Sequence, residues 1–147
     1  MKPWRIALIL ALSGLLGGLW NGLSGRGIAV TRSVFAAAGD EIISAEAARQ
    51  RLDDGALFLD ARPRAFWEMN RIPGALSLPE DEFESAFAEL EPELRRRFDV
   101  VVYCSGYGCE ASHLVARRLR ERGIPAVVLD EGLPAWEDLG YPLEEHS

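Results

Sequence analysis

The chain of 147 residues is 48% hydrophobic and 27% charged, the size and balance of one globular domain rather than of a disordered or fibrous chain. Its net charge is −7, and residues 40–147 hold all 23 acidic residues with 12 of the 16 basic ones, a balance of −11. Such an acidic surface argues against nucleic acid as a partner, because phosphate backbones are met by clusters of Lys and Arg.

No acidic residue precedes Asp40. A short flank, residues 1–5, carries Lys2 and Arg5, and residues 6–23 form an apolar run interrupted only by Ser13, Asn21 and glycines. As a helix this run is about 27 Å long, close to the ~30 Å hydrocarbon core, with Trp4 and Trp20 near its ends where indoles favour the interface. It reads as one uncleaved transmembrane helix in a bacterial-type cell membrane. The rival is a signal peptide cleaved at Ala36-Ala37-Ala38, from which a stretch containing Arg26 and Arg32 separates the apolar run by more than signal peptides usually allow. Lys2 and Arg5 on one side balance Arg26 and Arg32 on the other. The short N-terminus then favours the cytoplasm and places the domain outside. Gly14, Gly18 and Gly22 share one helix face, a small-residue stripe suited to a weak dimer contact in lipid.

Residues 24–40 read as a tether, and residues 41–147 as the folded domain. Ile42 and Ile43 suggest a short first strand, and Ser44 caps a helix that stops at Asp53-Asp54-Gly55. Residues 56–60 read as a buried strand ending in Asp60, followed by a turn and a short helix carrying Phe66 and Trp67. A short strand over 75–78 precedes an amphipathic helix over 80–90, with Phe83, Phe87 and Leu90 at helical spacing. Pro92 is expected to restart the chain in a basic turn through Arg95, Arg96 and Arg97, a solvated face. Residues 100–103 form the central strand, and the next helix turns Ala111, Leu114, Val115 and Leu119 inward until Gly123. Another strand over 124–129 leads through Asp130-Glu131-Gly132 to a helix over 134–139, with Pro134 at its start and Gly140 past its end. Strands alternating with helices imply an α/β fold with a mostly parallel sheet covered on both faces.

Parallel α/β sheets bind ligands beyond the strand C-termini, where Asp60, Cys104 and Asp130 lie. A Cys after a run of valines is often only a small buried hydrophobe. Gly106 and Gly108 alter that reading, because they let the backbone curl and aim the N–H groups of residues 105–109 inward as an anion cradle. Thiolate or persulfide is an anion of this kind, and the helix start favours it.

At this point the motifs carry a family resemblance. Leu59-Asp60-Ala61-Arg62-Pro63, then Phe66 and Arg71-Ile72-Pro73-Gly74-Ala75, resembles the early signature of rhodanese-like sulfurtransferase domains. Val101-Val102-Tyr103-Cys104 is similar to the strand that delivers the family's active-site cysteine, and Leu129 through Ala135-Trp136 with Gly140 and Pro142 to its closing motif. The resemblance runs from about Ile43 to Leu143. It implies a three-layer fold with a five-stranded sheet, and a Cys that takes sulfur from a small donor, holds it as persulfide and passes it to a thiol acceptor, a small molecule or a protein. Mapped onto this chain, Cys104 is the nucleophile, and Ser105, Gly106, Tyr107, Gly108, Glu110, Arg71, Asp60 and Arg62 are substrate-binding candidates. No cofactor and no metal is implied.

The departures are specific. Cys109 stands where the family's loop usually has Arg, so an anionic donor such as thiosulfate lacks that clamp. Glu110 takes the position, six after Cys104, that related phosphatases fill with Arg, and a carboxylate there repels phosphate. Arg71 replaces a usual His, and Glu131 the first of two glycines. Cys104 and Cys109 are the only cysteines and share one loop. Cys109 is therefore a candidate resolving thiol, able to attack a persulfide on Cys104 and close a disulfide; the alternative is a packing residue or an inert stabilising bridge. At the level of function, the alternatives are a non-catalytic binding or redox-sensing module and a dithiol–disulfide oxidoreductase. Asp60 and Arg62 are expected to pair, Trp136 to pack its helix on the sheet, and Tyr107 to shape donor entry. His113 is expected to face solvent, with tuning of the thiolate as the other reading.

Overall fold

A computed structural model describes residues 40–145. The expected anchor over 6–23, its glycine stripe and most of the tether lie outside the described residues. Among the described residues, no helix is long and apolar enough to cross a membrane.

Five strands form the main sheet: β1 (Ile42–Ile43), β2 (Leu57–Asp60), β4 (Leu76–Ser77), β5 (Val100–Tyr103) and β6 (Val127–Leu129). Their order is β1-β6-β5-β2-β4, every pairing is parallel, and β5 is central as its valine run predicts. A strand buried on both faces needs apolar side chains in both directions, and Val100, Val101, Val102 and Tyr103 supply them. Alternation along β2 and β5 sorts the core into two layers. Leu57, Leu59, Val100 and Val102 pack under helices α3 (Phe83–Leu94) and α4 (Glu110–Glu121). Phe58, Val101 and Tyr103 pack under α1 (Ala45–Asp53) and α5 (Gly132–Asp138), where Trp136 is fully buried against the Phe58 ring.

Ser44 caps α1 by accepting the Ala47 N–H at 3.3 Å. Helix α2 is short (Arg64–Met69) and leads into β3 (Asn70–Arg71), which pairs antiparallel with β7 (Glu144–Glu145) in a small second sheet that the sequence pattern does not announce. Pro92 does not interrupt its helix as expected, for α3 continues through it to Leu94. The missing Pro92 N–H deprives only the carbonyl four residues earlier, on Ala88, and that residue is exposed to solvent.

This topology fixes where a site can form. The chain leaves β5 for α4 on one face. It leaves β6 for α5, and β2 for the segment bearing Ile72 and Ala75, on the other. The loop after β5 therefore sits at a topological switch point, where departing connections part and open a crevice.

Candidate active site

Cys104 is the residue after β5, 3% exposed. Cys109 is the N-cap of α4. The two are joined by a disulfide, with Cα atoms 6.2 Å apart, inside the usual range for such a bridge. Between them Gly106 and Gly108 have φ of 127° and 78°, backbone that only glycine adopts freely, so the loop can fold back within five residues. Cys109 N–H donates to Gly106 O at 3.1 Å. That donor is thus spent within the loop, and the open cradle expected of residues 105–109 is in this respect closed while the disulfide is formed. Ser105 Oγ lies 3.9 Å from Cys104 Sγ.

The loop is pressed from outside by the turn after β6. Leu133 N–H donates to Cys104 O at 3.0 Å. Gly132, at φ 64°, comes so close that a methyl group there would lie 2.4 Å from both Cys104 O and Gly106 N. Tyr107 projects from the loop tip, 69% exposed, and donates its hydroxyl to Glu131 Oε1 at 2.6 Å. This bond pushes the Tyr107 phenol up from its ordinary value. The other Glu131 oxygen accepts the Ala45 N–H at 3.3 Å. Glu131, standing where the family has glycine, thus ties the loop tip to the start of α1.

Asp60 and Arg62 pair as expected, both buried, with Arg62 Nη2 2.7 Å from Asp60 Oδ2 and Nε shared between both carboxylate oxygens. Burial opposes the Arg62 charge, yet Asp60 holds its pKa above the ordinary value. Arg62 also donates to Asn70 O at 2.6 Å. The pair therefore braces the turn after β2 beside the cysteine loop. Burial, reinforced by the Asp60 carboxylate, pushes the Tyr103 phenol far up, and its oxygen accepts the Ile72 N–H at 3.2 Å.

Two expectations change. His113 does not face solvent: it is buried, with Nδ1 2.8 Å from Asp40 Oδ2 and Nε2 2.9 Å from Asp130 Oδ1. Arg120 also pairs with Asp40. With a carboxylate at each ring nitrogen, His113 bridges α4 to the turn after β6, and Asp40, the last residue of the expected tether, is held by the domain. Arg71 engages Glu144, the Trp67 carbonyl at 3.2 Å and the Trp67 ring at 4.4 Å, none of them in the cysteine loop. It joins β3 to β7. Glu110 is exposed in the first turn of α4, next to Cys109.

A cleft of about 310 Å³ opens beside Ser105, between Phe66 and Met69 on one side and Leu133, Pro134 and Glu137 on the other. Phe66 and Met69 are 51% and 67% exposed, an apolar lip; the sequence pattern marks Phe66 as part of a motif but places neither residue beside the cysteine loop. A second cleft, about 290 Å³, lies at the strand N-termini around Phe98 and Asp99 and touches neither cysteine.

The Rhodanese-like domain family matches residues 44–139, and the chain belongs to that family. The family includes sulfurtransferases as well as non-catalytic modules. An HTH-type transcriptional regulator from Mycobacterium tuberculosis is 32% identical over 106 residues, 72% of this chain. The match covers only 45% of that regulator's length. Among solved structures, a thiosulfate sulfurtransferase from Pseudomonas aeruginosa is 30% identical with a TM-score of 0.59, over 74% of this chain and 21% of its own. The rhodanese-like domain of the Alr3790 protein from Anabaena sp. is 27% identical with a TM-score of 0.59, over 72% of this chain and 80% of its own.

Proposed function

We propose that this chain is a membrane-anchored rhodanese-like sulfurtransferase in which Cys104 carries sulfane sulfur and Cys109 resolves it. The Cys104 thiolate attacks a sulfane sulfur, forming a persulfide and expelling the rest of the donor as an anion. An acceptor thiolate then takes the outer sulfur and returns Cys104 as thiolate. Alternatively Cys109 attacks the inner sulfur, closes the disulfide and releases the outer sulfur as hydrosulfide. The observation that carries this reading is the placement of Cys104 at the end of the central strand, at the switch-point crevice, bonded to Cys109. With Cys109 in the Arg position the loop lacks the cation that would clamp the thiosulfate sulfonate, so polysulfide, whose S–S bonds yield sulfane sulfur without such a clamp, suits it better. The anchor over 6–23 and the extracytoplasmic side belong to the same proposal.

The test is mass spectrometry of the reduced full chain after exposure to thiosulfate and to polysulfide. An added sulfur of about 32 Da on Cys104 is expected, stronger with polysulfide, lasting in Cys109→Ser and giving way to the disulfide and free sulfide in the wild-type chain. If neither donor adds sulfur to Cys104 even in Cys109→Ser, and the wild-type chain releases no sulfide while still cycling between dithiol and disulfide, the domain is a redox module instead. That second reading draws on the formed disulfide and on the likeness to part of a transcriptional regulator.

A further inference from the structure

We propose that the Cys104–Cys109 disulfide is reopened by a dithiol that attacks Cys109, with Cys104 departing as thiolate, and that Glu110 selects against anionic thiols at this step. The proposal rests on reading the two cysteines as a relay and assigns the partner that completes it.

Thiol–disulfide exchange depends on the leaving thiol and on access to the sulfur attacked. The position of the two bonded sulfurs at the N-cap of α4 does not separate them. Access does. Cys104 is 3% exposed, and its backbone is packed by Gly132 and bound by Leu133 N–H. Cys109 is only partly covered and lies between the exposed residues Gly108 and Glu110. An incoming thiolate therefore reaches Cys109 Sγ first. The S–S bond breaks, its electron pair leaves on Cys104, and Ser105 Oγ, 3.9 Å away, is placed to offer that thiolate a hydrogen bond.

The product is a mixed disulfide at Cys109 with a free Cys104 thiolate five residues away. Across so short a loop the effective concentration of Cys104 is high, so it re-attacks Cys109 and expels a monothiol. A dithiol escapes this reversal. Its second thiolate attacks its own bonded sulfur, forms an internal disulfide and releases Cys109. Two electrons and two protons pass from the dithiol to the chain, leaving both cysteines reduced. The Glu110 carboxylate is exposed on the residue after Cys109, at the point of entry, so a negatively charged thiol is slowed and a neutral or cationic one is not.

The experiment uses the oxidised full chain with cysteamine, glutathione or dithiothreitol, quenched in acid, alkylated and located by peptide fragmentation. Expected are a minor cysteamine adduct on Cys109, trapped at high cysteamine concentration with the alkyl label on Cys104, and complete reduction by dithiothreitol at lower concentrations, where both monothiols leave the disulfide closed. At equal thiolate concentration cysteamine should open the bond roughly two- to fivefold faster than glutathione, a gap that narrows in high salt and in Glu110→Gln. Adducts on Cys104, or an equal rate for both monothiols at low salt, overturn the inference while leaving sulfur transfer by Cys104 intact. Absence of any disulfide in the oxidised chain overturns the inference and the resolving role of Cys109 together, and the persulfide measurement then stands alone.

Discussion

In the proposed relay, Cys109 determines whether sulfur placed on Cys104 stays or leaves. In Cys109→Ser the persulfide has no neighbouring thiol to expel it, so it should persist on Cys104 after donor removal, whereas the wild-type chain loses it as hydrosulfide and gains the disulfide. Intact mass together with sulfide release reads both outcomes; equal persulfide lifetimes in the two proteins would falsify the resolving role. Tyr103, one residue before Cys104, makes a second prediction. Burial and the Asp60 carboxylate raise its folded pKa above the ordinary value near 10. Below about pH 10 folded and unfolded chains both hold the proton, and the contribution is whole. Above it only the unfolded chain releases the proton, so stability falls with rising pH by about 1.4 kcal/mol per unit until unfolding. In a Tyr107→Phe, Tyr141→Phe background, tyrosinate absorbance should therefore appear only together with loss of far-ultraviolet circular dichroism.

At the scale of elements, strand β5 and helix α4 were readable from local pattern, because a valine run and a helical apolar stripe state their own burial. The disulfide was half readable: two cysteines on one loop suggested it, and the two left-handed glycines between them permit it. What pattern could not supply were contacts between distant positions. His113 meets Asp40 across 73 positions and Asp130 across 17, so an ionisable residue near a helix start read as solvated. Its one local sign was Arg120, two helical turns on, which shares Asp40. Arg71 likewise finds Glu144 through a strand pairing too short to announce itself. Gly132 shows how the turn after β6 controls the loop. Gly132→Ala forces a methyl group into backbone 2.4 Å away at Cys104 and Gly106, so the loop must shift. Persulfide formation should fall roughly 10²-fold, as for other misplacements on this scale. Gly140→Ala, at φ 69° with nothing within 4 Å, bears only the backbone strain, about 1 kcal/mol, and should keep the rate. Comparable rates for both variants would remove the proposed coupling.

For the whole molecule, the question is where the domain starts relative to the segment before it. The small, Gly- and Ala-rich stretch over 24–40 reads as a tether, which puts the boundary just after Asp40. The packing moves that residue inside, since the Asp40 carboxylate is bonded by His113 and Arg120, and the domain closes around it. Anchoring and cleavage after Ala38 would thus both leave the same fold, differing only in whether the domain stays at a membrane. A chain beginning at Gly39 should match the full chain in its denaturation midpoint. A chain beginning at Glu41 leaves His113 with Asp130 alone and Arg120 without its carboxylate, and should lose about 1–3 kcal/mol. Identical midpoints for the two truncations would show that Asp40 does not belong to the cooperative unit. The mass of the mature protein from membranes then answers the separate question of anchoring. An intact N-terminus supports the helix over 6–23, and a chain starting at Gly39 removes it while leaving the sulfur chemistry of Cys104 untouched.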